Sequence, residues 1–148
     1  MKKSIIAIAL FLLTVSFGLQ AANEPDCYVN TGKKVYFGNK IRIGLFNTKI
    51  VEPDGSVVKV RNNEVKSYMN GSKLFELKTI TDNDPETPET AMLEYISARS
   101  GYTLYAYNNA ASQSTGKSYF VFKDGKYFIP VTHNTAASIL SFFGLKAF

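Results

Sequence analysis

The stretch SYFVFKDGKYFIPV, Ser118 to Val131, decides how the rest of the chain is read. Asp124-Gly125 is a two-residue turn signal between arms of alternating aromatic and β-branched residues, the pattern of a β-hairpin. A two-residue turn at 124–125 sets Lys123 opposite Lys126, Phe122 opposite Tyr127, Val121 opposite Phe128 and Phe120 opposite Ile129. Because side chains alternate across a strand, one face then carries Phe120, Phe122, Tyr127, Ile129 and Val131. The other carries Tyr119, Val121, Lys123, Lys126, Phe128 and Pro130. Fully burying one large apolar side chain stabilises a fold by about 1.5–3 kcal/mol, so the first, wholly apolar face is expected to be interior. The second, mixed face is expected to be partly covered by whatever follows it.

Upstream, similar ribbons recur. Ile41, Ile43 and Leu45 alternate with Arg42, Gly44 and Phe46. TKIVEPDGSVVKV turns at Pro53-Asp54-Gly55, and EVKSYMNGSKLFELKTI turns around Asn70-Gly71. AMLEYISARSGYTLYAY allows two readings. Thr87, Pro88 and Glu89 resemble a helix start with Gly101 as its stop. Alternatively Ser100-Gly101 closes a hairpin, and the strand character of YTLYAY favours that reading. Within YTLYAY, Tyr102, Leu104 and Ala106 share one side, and Thr103, Tyr105 and Tyr107 the other. The last element, NTAASILSFFG, has helical spacing, with Asn134 able to cap it and Gly144 to end it. The fold expected is mainly β: antiparallel hairpins in a small sandwich or open barrel, with a short C-terminal helix packed on it.

The chain has 148 residues, nine Tyr, eleven Phe and no Trp. Lys2 and Lys3 precede an apolar run from Ile5 to Leu19, and small residues follow at Ala21 and Ala22. This is the form of a secretory signal peptide, and the run is shorter than the ~20 residues that span a bilayer. The expected organisation is a signal peptide over 1–21 and a single β-rich domain over 22–148, periplasmic or secreted, not membrane-spanning after cleavage. Glu24, Pro25 and Asp26 before Cys27 are unlike a lipoprotein signal. Cys27, the one cysteine, is expected to be an incidental thiol near a loose N-terminus. The formal charge is +5, two units of it from Lys2 and Lys3. No basic stripe stands out along the chain, so nucleic acid is not an expected partner. An outer-membrane barrel is not expected either, since the runs are shorter than the 9–11 residues such strands need.

No catalytic or metal set assembles from the sequence. His133 is the one histidine, zinc needs three or four ligands, and no nucleophile elbow is present. Asp82, Asp84 and Glu86 lack the glycine of a calcium loop, Thr87 standing in its place. No cofactor is expected, and the protein is read as not an enzyme. Tyr105, Tyr107 and Tyr119 are the candidate binding residues, since a phenol tolerates a half-wet position.

RSGYTLYAY, SYFVFKDGKYFIPV and AASILSFFG together resemble a recurring pattern in small exported proteins of Bacteroidetes bacteria, with NEVKSYMNGSKLFE as weaker support. The resemblance covers about the C-terminal third. It implies export and a β-rich module, and it implies no activity. The expected role is therefore a non-catalytic module binding a macromolecule or glycan at the cell envelope. The alternative is a proteinaceous inhibitor of a secreted hydrolase such as a lysozyme. SQSTGKSY, Ser112 to Tyr119, is similar to the Ser-Gly-x-x-Tyr loops of lysozyme inhibitors, without that family's cysteines.

Overall fold

The computed structural model describes residues 26–81, 88–108 and 117–146. The strands are β1 (Cys27–Asn30), β2 (Val35–Gly38), β3 (Lys40–Ile43), β4 (Asn47–Val51), β5 (Val57–Arg61), β6 (Ser67–Asn70), β7 (Lys73–Ile80), β8 (Glu89–Arg99), β9 (Tyr102–Asn108), β10 (Lys117–Lys123) and β11 (Lys126–Val131). One helix, α1 (His133–Phe142), follows. Eight strands form one antiparallel sheet in the order β11-β10-β9-β8-β7-β6-β1-β2, and β3-β4-β5 form a second. The mainly β architecture with a C-terminal helix is as the sequence indicates, and neither sheet closes into a barrel.

The two tight turns read from the sequence are present. Ser100 and Gly101 have φ of 51° and 79°, and Asp124 and Gly125 have 49° and 80°. Two successive positive φ values make the mirror-image turn whose twist suits a hairpin, and glycine enters that region without steric cost. Residues 89–99 are strand, so the hairpin reading of this segment holds over the helical one.

The large sheet has two faces, each covered differently. Val29, Tyr68, Phe75, Glu94, Ala106, Tyr119 and Val131 stand opposite one another strand by strand and so share the first face. At one end of this face the small sheet packs Ile41, Ile50 and Val60 against Cys27 and Val29. At the other end α1 lays Leu140 and Phe143 on Leu104 and Val121. Between them Glu94 is bridged by Lys73 at 3.1 Å and Lys117 at 3.2 Å. Burial pushes the Glu94 carboxyl up, but the hydrogen bonds from the two lysines outweigh it and hold its pKa below the usual value.

Among the described residues no third layer covers the second face. Instead the sheet curls until β11 comes back into contact with β7, without joining it by ladder hydrogen bonds. Inside the curl Leu93, Tyr105, Phe122, Ile80 and Ala91 form a core, flanked by Phe120, Tyr107 and Tyr127.

The opening hairpin departs from its expected register. Lys123 faces Lys126 and Phe122 faces Tyr127, but Val121 faces Ile129, with a bulge between Val121 and Phe122. A bulge sets two residues against one and reverses the facing beyond it. Phe128 is the extra residue and is 49% exposed. Ile129 and Val131 therefore leave the Phe122 face and pack under α1. The expected five-residue apolar face is corrected to Phe120, Phe122 and Tyr127, of which Phe122 is fully buried.

Three smaller expectations also change. Cys27 is not on a loose terminus: β1 is paired on both sides, by β2 and β6, and the thiol is 3% exposed with Asn70 Oδ1 3.5 Å away. The helix cap is Thr132 rather than Asn134. Its backbone N–H donates to Thr135 Oγ1 at 3.0 Å in a reciprocal capping box. Strand lengths run from four to eleven residues, so β8 exceeds the short runs read from the sequence.

Candidate binding surfaces

The three candidate tyrosines do not converge. Tyr105 is 4% exposed and lies inside the curl, its ring edge-on to Phe122 at 5.1 Å and to Tyr95 at 6.1 Å. Its hydroxyl donates to the Glu76 carboxylate, and Lys78 lies over its ring and pairs with Glu76 at 3.3 Å. Burial, reinforced by the bond to Glu76, pushes the phenol pKa far up. A phenol held this way is a satisfied core group, so the expectation of Tyr105 as a surface contact is corrected. Tyr107 is half-buried beside the same core, whereas Tyr119 is half-buried under α1 on the opposite face. The sequence reading missed that β9 and β10 are covered on both sides.

Where α1 crosses the hairpin, the displaced Phe128 leaves an open cleft of about 330 Å³. Tyr102, Ile129, Ser138, Ile139 and Phe142 line it with Phe128. Tyr102 touches both rings edge-on, Phe128 at 5.7 Å and Phe142 at 5.9 Å. Arg99 lies over the Phe142 ring and donates to the Phe142 carbonyl at 2.6 Å. The lining offers the hydroxyls of Tyr102 and Ser138 and otherwise hydrocarbon, which suits an apolar contact.

The small sheet carries a different surface. Arg42 stands opposite Lys49, and Lys49 opposite Lys59. Arg61 faces Asn47 one row nearer the β3–β4 turn, and Lys40 faces Val51 one row further away. Lys40, Arg42, Lys49, Lys59 and Arg61 thus share one face, and all five are exposed. None of them stands in an ion pair among the described residues. Glu52 and Asp54 sit in the β4–β5 turn, at the opposite end of β4 from the β3–β4 turn. There Asp54 accepts from Ser56 N at 2.9 Å, which holds its carboxyl below the usual pKa. Like charges directly opposite on adjacent strands are destabilising, so the fold gains nothing from this arrangement. The absence of a basic stripe, expected from the linear sequence, is corrected: strand pairing assembles one from residues scattered over 40–61. The signal was present as a cation at every second position of KIRI and VKVR with Lys49 between them.

At the end of that face the β3–β4 turn holds Leu45 and Phe46 out at 92% and 80% exposure. The alternation that would have turned Leu45 inward stops at Gly44, whose N–H donates to Asn47 O at 3.0 Å. Asn62 fixes the turn. Its backbone N–H donates to Phe46 O at 3.0 Å, and Nδ2 donates to Gly44 O at 2.8 Å and Leu45 O at 3.1 Å. Its Oδ1 accepts from the buried Thr48 hydroxyl at 2.9 Å. Arg61 lies beside the turn and lines a shallow depression with Leu45 and Phe46.

Cys27 and His133, the residues a nucleophilic site would need, are apart in role and environment. The thiol is buried between the sheets, and the imidazole is exposed at the start of α1. Among the described residues no group of three or more His, Cys, Asp or Glu side chains could hold a metal ion. The acidic stretch 82–87 and most of the Ser112–Tyr119 loop lie outside the described residues. Comparison with protein-family models, curated proteins and solved structures returned no match to this chain.

Proposed function

We propose that this protein is an exported, non-catalytic binding module that docks on an anionic macromolecular surface of the cell envelope through its small sheet. The observation that carries this is the row Arg42–Lys49–Lys59, three exposed cations set directly opposite one another without a carboxylate partner among the described residues. Clustered charge of one sign raises the local concentration of an oppositely charged partner and speeds encounter. Asn62 and the β4 pairings hold the face rigid, so little conformational entropy is lost on docking. The signal peptide expected over residues 1–21 supports a partner in the envelope, where anionic lipids and polysaccharides are found. No helix among the described residues is long and apolar enough to cross a membrane.

Reversing the row tests the proposal. The triple variant Arg42→Glu, Lys49→Glu, Lys59→Glu is expected to lose nearly all retention on the protein's own envelope fraction in a pelleting assay. Wild-type retention is expected to fall steeply as salt rises and the Debye length shrinks from about 10 Å to about 3 Å. Retention by the triple variant equal to wild type would remove the basis of the proposal. The three positions are exposed, so the variant is expected to fold, and circular dichroism checks that.

A further inference from the structure

We infer that the occupant of the cationic face is an anionic lipid bilayer, with the Leu45–Phe46 turn inserted among the headgroups. This rests on the docking reading above and names its partner. Two features point to lipid rather than to a soluble polyanion. First, the most exposed large apolar side chains of the described residues are Leu45 and Phe46, at 92% and 80%, and they stand at the end of the charged face rather than elsewhere. A hydrated polyanion has no apolar interior to receive the Leu45 and Phe46 pair, whereas an interface rewards apolar groups that enter about 5–10 Å.

Second, the carbonyls of the turn are prepared to leave water. Peptide groups that enter hydrocarbon unpaired are costly. Here three successive carbonyls, Gly44, Leu45 and Phe46, all accept hydrogen bonds from Asn62. An ordinary exposed turn would leave such carbonyls to solvent.

The charges follow in rows above the apolar tip. Same-face rows in a strand are spaced by about 7 Å. Arg61 is level with Asn47 at the tip, the Arg42–Lys49–Lys59 row is one step behind, and Lys40 is two steps behind. With a Debye length of about 8 Å at physiological salt, the first two rows feel an anionic surface that the tip has entered, and Lys40 feels little. Stable peripheral attachment needs two signals, and the small sheet presents an apolar tip and a basic face together.

The test uses the processed protein, free of its leader. Its probes are vesicles of phosphatidylcholine with one-third phosphatidylglycerol, vesicles of phosphatidylcholine alone, and dextran sulfate as a polyanion without a bilayer. Wild type is expected to bind the anionic vesicles and to bind neutral ones at least tenfold more weakly. Leu45→Ser with Phe46→Ser is expected to weaken anionic-vesicle binding by at least tenfold and to leave dextran sulfate binding unchanged. Arg42→Ala with Lys49→Ala and Lys59→Ala is expected to weaken both by about 100-fold, at roughly fivefold per charge near the surface. Lys40→Ala alone is expected to change vesicle binding less than twofold. Wild type binding dextran sulfate but not anionic vesicles, or vesicle binding untouched by the Leu45/Phe46 pair, would overturn the lipid assignment and leave the docking face standing. A triple-alanine variant that binds both probes like wild type would overturn the docking reading itself.

Discussion

Gly38→Ala is expected to destabilise the protein by about 3 kcal/mol, at the upper end of what overpacking costs. For a domain of this size that lowers the melting temperature by about 10 °C. Gly38 ends β2 where the chain leaves the large sheet for the small one. A Cβ there would lie 2.3 Å from the Val51 carbonyl oxygen and 2.6 Å from Ile50 Cγ1. Ile50 is fully buried, and Val51 O already accepts from Asn39 N at 2.9 Å, so the closest contact is backbone and no rotamer change relieves it. Relief needs the β4 strand to move away from β2. Because β4 carries Lys49 in the middle of the cationic row, the variant is also expected to bind an anionic surface more weakly at temperatures where it remains folded. Thermal unfolding followed by circular dichroism measures the first effect. A melting temperature within a degree of wild type would mean that the two sheets do not meet at this point.

Phe122→Ala is expected to cost about 3–5 kcal/mol, the range for emptying a buried aromatic site, against less than about 1 kcal/mol for Phe128→Ala. Phe122 is 2% exposed, between Tyr105 at 5.1 Å and Tyr127 at 5.8 Å. The two rings against it are held from β9 and β11, so the cavity cannot readily collapse. Phe128 is the residue the bulge turns out, half exposed and touching Tyr102 on its edge. The contrast distinguishes the bulged hairpin from the regular one, in which Phe128 would stand opposite the buried Val121 beneath α1, in the place that Ile129 takes, and its loss would also be costly. Chemical denaturation of the two variants reads it directly, and equal losses would contradict the bulge.

Much of this fold was legible in local sequence. Ser100-Gly101 and Asp124-Gly125 mark their turns because few residue pairs take two positive φ values in succession, and Gly144 stops α1 at φ 74°. The alternation in YTLYAY assigns Leu104 and Tyr105 to opposite faces correctly. It does not say that both faces are covered, because the second cover is the sheet itself curling back on β7. The bulge at Val121 was equally hidden: a turn fixes the register beside it, here Lys123 with Lys126, and has no hold on pairing three residues away.

The candidate site was the least legible part. Tyr105, Tyr107 and Tyr119 were chosen for what a phenol tolerates, and the rings turned out to face different cores. The cationic face depends on two hairpins bringing residues 42, 49 and 59 into one row, a coincidence of register that no linear window displays. Asn62 is the clearest omission. It looks like an ordinary loop polar residue, and its role follows only from the return of β5 to the β3–β4 turn.

Lysine-selective labelling of the protein, free and bound to its own envelope fraction, is the most direct measurement of where docking occurs. Lys49 and Lys59 are expected to be strongly protected on binding, with Lys40 protected less. Lys123 and Lys126 at the tip of the aromatic hairpin are expected to label at the free rate. Protection of Lys123 and Lys126 with Lys49 and Lys59 still fully reactive would show that the hairpin, and not the small sheet, is the binding surface.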